Sequence, residues 1–335
     1  MLRFIVRRLL QLIPTLIGLS LLLFIWLRSL PGGPEAALLG DRATPERMAA
    51  IREQLGLNDS IWVQYGRFVK KLVQLDFGNS LQRGAGSVTE EFFRRFPATV
   101  ELALTAMLIA IVVGIPLGYL AARRRGGFLD FGAVAGSLLG ICVPVFFLGF
   151  LLKVFFAENL QMFPSAGRLT AGLEYNDITG LLVFDSLITG DFMVLSDALA
   201  HLILPGLTLA SIPLAIIVRM TRASVLEVLG EDYVRTAESK GLKAKTIRTR
   251  HVLRNAMLPV VTTIGLLTGG LLSGAVLTET VFAFGGIGKF TADAIAARDY
   301  PTLNGFIMFI AVIYVLINLL VDVAYSVLDP RVRVH

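Results

Sequence analysis

A single cysteine, Cys142, sits in an apolar run of this 335-residue chain, which excludes a disulfide framework. Histidine is nearly as scarce. His201, His251 and His335 are far apart in sequence, and with one cysteine they offer no zinc-ligand spacing. Charge is also short: 17% of residues are charged against 55% hydrophobic, too little polar surface to coat a soluble particle of this size. No HExxH and no GxSxG is present, so a membrane protease or esterase has neither metal site nor nucleophile. Gly84-Ala85-Gly86 lacks the third glycine of a dinucleotide fingerprint. The run Phe284–Phe290 has Gly288-Lys289 but Ala283 and Phe290 where a P-loop needs Gly and Ser/Thr. The net charge of +6 would suit nucleic acid, but the basic residues cluster at the ends of apolar runs, and nucleic acid is not an expected partner.

What the chain does have is long apolar segments. Residues 9–27 carry no charge, and nineteen residues nearly cover a hydrocarbon core of about 30 Å. The exit Leu27-Arg28-Ser29-Leu30-Pro31 is a poor cleavage site, so a retained first span is expected. Further spans are expected at about 100–122, 133–156, 202–222, 258–282 and 305–327. Pro205 and Pro213 interrupt the fourth, which reads as a kinked, bundle-facing helix. The fifth carries Gly265, Gly269, Gly270 and Gly274, spaced for close helix approach, with packing inside one subunit the simpler use. The expected fold class is therefore an all-α polytopic membrane protein with six transmembrane helices and a small helical extracytoplasmic insertion between the first and second spans.

That insertion is polar but not a linker. Thr44-Pro45-Glu46 opens a helix with Met48, Ile51 and Leu55 at helical spacing, closed near Gly56. The stretch 61–78 reads as a second amphipathic helix ending at Asp76-Phe77-Gly78, with Trp62, Tyr65 and Phe68 available to pack. The chain divides into a tail and first span (1–30), the insertion (31–99), and a five-helix core (100–335) with a cytoplasmic loop at about 223–256.

Orientation follows from charge. Six spans put both termini on one side, where short segments hold fifteen Lys/Arg: Arg3, Arg7 and Arg8, Arg123 to Arg125, seven in 230–254, and Arg331 and Arg333. The loops opposite, 157–200 and 281–304, hold only Arg168, Lys289 and Arg298. The termini and the 223–256 loop are therefore expected in the cytoplasm, with the protein multi-pass in the cell membrane and in contact with lipid. Intramembrane ionisable groups are few. Arg28, Lys153, Arg219, Glu279 and Asp322 all lie near span ends, and Asp322 with Asn318 is placed to pair with Arg219 or Arg222. No carboxylate chain crosses the midplane, which argues against ion-coupled transport.

The polar stretch Gly230–Pro259 lies between two of the most apolar segments. Glu231 and Asp232 place negative charge at a helix start, and Gly241 after Lys240 fits a left-handed C-terminal position. This predicts a helix of about ten residues, roughly 15 Å long, with Val234, Ala237 and Gly241 as a small-sided stripe. On the residues alone, that stripe serves either a docking partner or the bundle's own helix ends.

RTAESKG (235–241) resembles the EAA loop of ABC-importer permeases, with Ala237 and Gly241 in register. Arg235 and Thr236 replace the general Glu and Ala, and Leu258-Pro259 falls later than in the general pattern. Both departures are similar to the dipeptide/oligopeptide branch, which reads RTAxxKGL and then HxLRNAxLPV, matched here by Arg235–Leu242 and His251–Val260. MLRFIVRRLLQLIPTLIG, QYGRF, LDFGNSL, PATVELA, LTETVFAFGGIGK and RDYP extend the resemblance over nearly the whole chain. It implies the membrane-spanning subunit of an ATP-driven importer, not an enzyme. The expected partners are a second homologous permease subunit, two ABC ATPase subunits and an extracytoplasmic peptide-binding protein. It implies no cofactor on this chain, with ATP and Mg bound by the ATPases. The residues it assigns to ATPase coupling are Glu231, Asp232, Tyr233, Arg235, Thr236, Ala237, Lys240, Gly241 and Leu242. It identifies no substrate-binding or metal-binding residue. The same architecture carrying nickel, haem, glutathione or an opine is the alternative, with a channel or intramembrane enzyme behind it.

Overall fold

The computed structural model describes residues 2–29, 33, 35, 39, 44–54, 56–82 and 84–328. Every named element among them is helical, and the only β pairing among them is an isolated bridge between Asn79 and Ser87. In order they are α1 Leu2–Ser29, α2 Pro45–Gln54, α3 Ile61–Val73, α4 Val88–Arg123, α5 Phe128–Cys142 and α6 Val145–Leu152. There follow α7 Leu182–Thr189, α8 Phe192–Leu229, α9 Asp232–Ser239, α10 Arg254–Val281, α11 Ile287–Ala296 and α12 Tyr300–Leu328.

Four helices among the described residues are long and apolar enough to cross a membrane: Val88–Arg123, Phe192–Leu229, Ala244–Leu271 and Tyr300–Leu319. The pair Phe128–Cys142 and Val145–Asn159 makes a fifth if its 106° bend lies within one span. In α1 the apolar part is the shorter Ile13–Trp26. The expected continuous helix over 133–156 is therefore corrected to a broken one. Pro144 supplies no N–H and pushes the residue before it out of the α region, and Val143 is extended at φ −78°, ψ 124°. The fourth expected span departs the other way. It runs for 38 residues through Pro205 and Pro213, beginning at Phe192 instead of 202. The Asp191 carboxylate caps it by accepting from Met193 N at 3.1 Å and Val194 N at 3.0 Å, satisfying two otherwise orphan donors.

The chain forms two compact units, residues 1–97 with 285–335 and residues 98–284. In the first, Val88, Phe92, Ile287, Phe290, Phe306 and Phe309 make an apolar core. Phe92 stacks on Phe309 at 4.5 Å and meets Phe306 edge-on at 5.1 Å. Gly305 is required there, since a Cβ would stand 2.5 Å from Val88 Cγ1. The buried Asp299 accepts from Thr302 N and Oγ1 at the start of α12, and also from Ser80 Oγ and Leu81 N. Both predicted insertion helices form. Thr44 sits at the start of α2 with Arg47 N donating to its Oγ1 at 3.4 Å, and Gly56 follows its end at φ +62°. Tyr65 and Phe68 of α3 pack on Phe24 of α1, whereas Trp62 remains 77% exposed.

In the second unit α8 is central. Leu202, Leu209, Ala210 and Ile217 pack with Leu102, Ala103, Ala106 and Ala110 of α4 and with Val260, Leu271 and Ala275 of α10. Small residues set these spacings: a Cβ on Gly118 would lie 2.5 Å from the Val218 carbonyl oxygen. The 157–200 loop is organised, with α7 and the start of α8 inside it. Arg168 Nη2 donates to Glu101 Oε2 and to the Gly180 carbonyl, both at 2.8 Å. Val183 N donates to Glu101 Oε1 at 2.7 Å. Glu279 is fully buried and accepts from Thr99 Oγ1 at 2.5 Å. On α10 nothing lies within 4 Å of a Cβ built at Gly270, so the close approach expected of the glycine run is not made there within the second unit.

Candidate docking surface

The polar stretch between α8 and α10 folds as its residues suggest. After Gly230, Glu231 is extended at φ −71°, ψ 142°, and its side chain makes no capping bond. Helix α9 covers Asp232–Ser239, eight residues instead of ten. Its end is a Schellman closure: Leu242 N donates to the Ala237 carbonyl at 3.3 Å and Gly241 N to the Glu238 carbonyl at 2.9 Å. Gly241 holds φ +72° with nothing within 4 Å of a Cβ position, the left-handed conformation this closure needs. The chain then resumes as helix over Ala244–Thr246, widens through a π-helical turn at Ile247–Leu253, and continues into α10.

One face of α9 is committed to the protein itself. Val234 and Ala237 are 1% and 5% exposed and pack with Ala122, Val225, Ile247, Val252 and Ala256. Two members of the small-residue stripe, Val234 and Ala237, therefore pack on the bundle's own helix ends, whereas Gly241 is exposed. The reason is geometric. A helix of eight residues at the surface has one apolar edge, and that edge is spent on the core. The other assigned residues, Glu231, Asp232, Tyr233, Arg235, Thr236, Lys240, Gly241 and Leu242, are all exposed.

Hydrogen bonds fix the orientation of this exposed surface. Tyr233 Oη donates to the His251 carbonyl at 3.3 Å and accepts from Asn255 Nδ2 at 2.8 Å, bolting α9 to the start of α10. Ser224 Oγ donates to the Ala256 carbonyl at 2.9 Å, joining α8 to the same turn. A recess of about 240 Å³ opens beside α9, lined by Tyr119, Arg123, Leu229, Glu238, Arg248 and Val252. Lys243, Lys245, Arg250 and Arg254 are also exposed around it. The result is a rigidly mounted, mostly basic surface carrying exposed Tyr233 and Leu242, suited to binding another protein. No group of three or more potential metal-ligating side chains occurs among the described residues.

Beneath this surface lies a pair that sequence reasoning missed. Arg222 of α8 makes a two-pronged contact with Asp130 of α5, Nε to Oδ1 and Nη2 to Oδ2, the latter at 2.8 Å, and Gly126 N donates to Asp130 Oδ2 at 2.9 Å. Asp130 therefore fills the role expected of Asp322 or Asn318 at Arg222; the Asp322 side chain lies outside the described residues. A signal was available. Asp130 is the only acidic residue between Glu101 and Glu158 and closely follows three arginines.

Apolar helices of spanning length, two of them joined by a short helix on a polar loop, define a multi-pass membrane protein. Residues 114–334 match the family described as binding-protein-dependent transport system inner membrane component, and residues 1–103 match that family's N-terminal region. The chain belongs to this family of inner-membrane transport components. It is 45% identical to the dipeptide transport system permease protein DppB of Escherichia coli (strain K12) over 337 aligned residues, covering 99% of each chain. It is 43% identical to the protein of the same name from Alkalihalophilus pseudofirmus, covering 99% of this chain and 100% of that one. Identity to the di/tripeptide transport system permease protein DppB of Pseudomonas aeruginosa is 44%, covering 99% of each. Among solved structures, a chain from inward-facing conformations of the MetNI methionine ABC transporter matches with a TM-score of 0.51. That match covers 69% of this chain and 93% of the other at 15% identity, a likeness of fold.

Proposed function

We propose that this chain is the membrane-spanning subunit of an ATP-driven importer that moves di- or oligopeptides delivered by an extracytoplasmic binding protein. The observation that carries the coupling part is α9. Its buried edge is locked into the bundle by Val234 and Ala237, its end is closed at Gly241, and its outer face presents Tyr233, Arg235, Thr236, Lys240 and Leu242. In this reading two ATPase subunits, which bind ATP and Mg, engage that face here and on a second, homologous permease subunit. A force on the face reaches α8 and α10 through the Tyr233, Asn255 and Ser224 hydrogen bonds, so the bundle shifts between states as packed helices move together. Six spans, with α1 and the α5–α6 pair each counted as one, put both termini in the cytoplasm with α9. The peptide class is supported by the printed activity of the relatives, each matched end to end.

The test is co-purification and uptake. The double variant Arg235→Glu/Lys240→Glu, on the exposed face, is expected to reach the membrane at wild-type levels yet lose its ATPases and peptide uptake. Retained ATPases and normal uptake would refute docking through α9. Uptake of nickel, haem or glutathione in place of labelled dipeptide would overturn the peptide class alone.

A further inference from the structure

The 157–200 stretch carries six acids, Glu158, Glu174, Asp177, Asp185, Asp191 and Asp197, against one base, Arg168. Part of this charge is spent inside the fold. Asp185 accepts from Thr179, Ile178 and Gly180, and Asp197 from Thr170 N and Oγ1. The base is spent too, since Arg168 is committed to Glu101 and the Gly180 carbonyl. Among the remaining residues opens a recess of about 250 Å³, lined in part by Glu174, Tyr175, Asn176, Ser186, Asp191 and Val194. All of them belong to the second compact unit, and none is a cation.

The polar groups of this recess are left for a ligand. Among the described residues the Glu174 carboxylate, the Tyr175 hydroxyl and the Asn176 amide make no hydrogen bond or ion pair. Asp191 caps α8 through Oδ1, and its Oδ2 bonds nothing among those residues. Tyr175 is held above its ordinary pKa first by burial and then by Asp177, with Arg168 opposing and Asp185 and Glu101 adding to the rise. The field at the recess is therefore that of an anionic site. An ammonium brings three donors and no acceptor, which suits a lining of carboxylate, hydroxyl and amide oxygens. A metal ion suits it less. Calcium takes about six to eight oxygen ligands, and no group of three potential metal-ligating side chains occurs among the described residues. At about 250 Å³ the recess is smaller than the roughly 300–1,000 Å³ of sites enclosing a drug-sized ligand. It fits one end of a molecule.

We infer that this recess receives the amino terminus of a peptide, its α-ammonium held by the Glu174 and Asp191 carboxylates. The inference rests on the importer reading above, which supplies the peptide. Peptides of different side chains share two charged ends, an ammonium and a carboxylate, and only the first complements this lining. A basic side chain of another protein carries the same charge, and the experiment separates the two sources.

The experiment uses the full chain assembled with its partner subunits in nanodiscs and a dipeptide of alanine and diazirine-bearing leucine, with and without an N-acetyl cap. Photolysis and peptide mass spectrometry are expected to place adducts on Glu174, Tyr175 or Asn176 about tenfold more often with the free ammonium than with the capped form. Labelling of Glu158, an exposed acid that does not line the recess, should not distinguish the two. Glu174→Gln/Asp191→Asn removes both charges, and asparagine still caps α8; in this variant the preference for the free ammonium should vanish. The proposal is overturned if the capped dipeptide labels the recess equally, or if the double variant labels like the wild type. It is equally overturned if propylamine or calcium displaces the probe as well as alanyl-alanine does, or if a photoreactive residue at Thr189 crosslinks to the binding protein whether or not peptide is present. Uptake of labelled dipeptide by the wild-type complex is measured alongside. Its absence sinks the importer reading and this site with it, whereas uptake with unselective labelling sinks the site alone.

Discussion

At the residue scale the structure separates two kinds of position on one short helix. Ala237 is enclosed by Val225, Ile247, Val252 and Ala256, so Ala237→Asp buries a carboxylate without a partner, at a cost of more than about 2 kcal/mol. The expected outcome is a lower detergent melting midpoint and less protein in the membrane, measured by fluorescence-detected chromatography. Arg235 and Lys240 should tolerate charge reversal without either effect. A second residue-scale prediction concerns Asp130 and Arg222. Removing one partner leaves the other charge uncompensated, whereas removing both does not. Asp130→Ala should therefore lower the melting midpoint more than the double variant Asp130→Ala/Arg222→Leu does, and a larger drop in the double variant would contradict the pairing. These positions also mark what the sequence made legible. Gly241 could be read because a left-handed cap is a local demand of the backbone. Asp130 could not be matched to Arg222, 92 positions away, because a tertiary pair leaves no local spacing to read. The stripe of Val234 and Ala237 was visible, but which body it faced was not, since periodicity defines an edge and not its partner.

At the scale of elements, the closure of α9 and the 157–200 loop each give a test. Gly241→Ala should cost about 1 kcal/mol through the left-handed backbone alone, because no atom crowds the site. Gly241→Trp adds bulk on the exposed side, and is expected to abolish uptake while the protein remains in the membrane. In the loop, Asp185 is enclosed, which raises its pKa, but hydrogen bonds from Thr179 Oγ1 and from the amides of Thr179, Ile178 and Gly180 outweigh this and hold it below the usual carboxylate value. Its stabilisation is therefore complete above the unfolded value of about 3.9 and lost as pH falls through the lower folded value. Protection of the 178–180 amides, taken relative to intrinsic exchange rates at each pH, should fall on acidification in the wild type. In Asp185→Asn that protection should start lower and show a smaller change over the same acid range. Helix existence was largely legible from apolar runs. Boundaries were not: the break at Pro144 and the early start of α8 at Asp191 depend on one backbone restriction and one cap, which hydropathy averages away.

At the scale of the whole molecule, the proposed reading puts ATP hydrolysis on partner ATPase subunits. The purified chain should show no turnover, and activity should return only with ATPase subunits that co-purify through α9. Hydrolysis by the isolated chain, measured as phosphate release, would contradict this division of labour. The extent of the family match, from residue 1 to residue 334 in two segments, fits the breadth of the motifs from LRFIVRR to RDYP. What those motifs did not convey is how the interior is filled, because alanine and glycine spacings such as Gly118 against Val218 take meaning only once two helices are side by side.

The uninterrupted length of α8 has a mechanical corollary. Its 38 residues make a rod of about 57 Å, nearly twice the thickness of the hydrocarbon layer. One end is clamped by Asp191 beside the 157–200 loop, and the other hands over at Gly230 to α9. For a stiff rod pivoting near one end, a tilt of about 5° sweeps the far end through about 5 Å. On the proposed importer reading, a tilt of this helix would be felt at both of its ends, except for whatever bending Pro205 and Pro213 absorb.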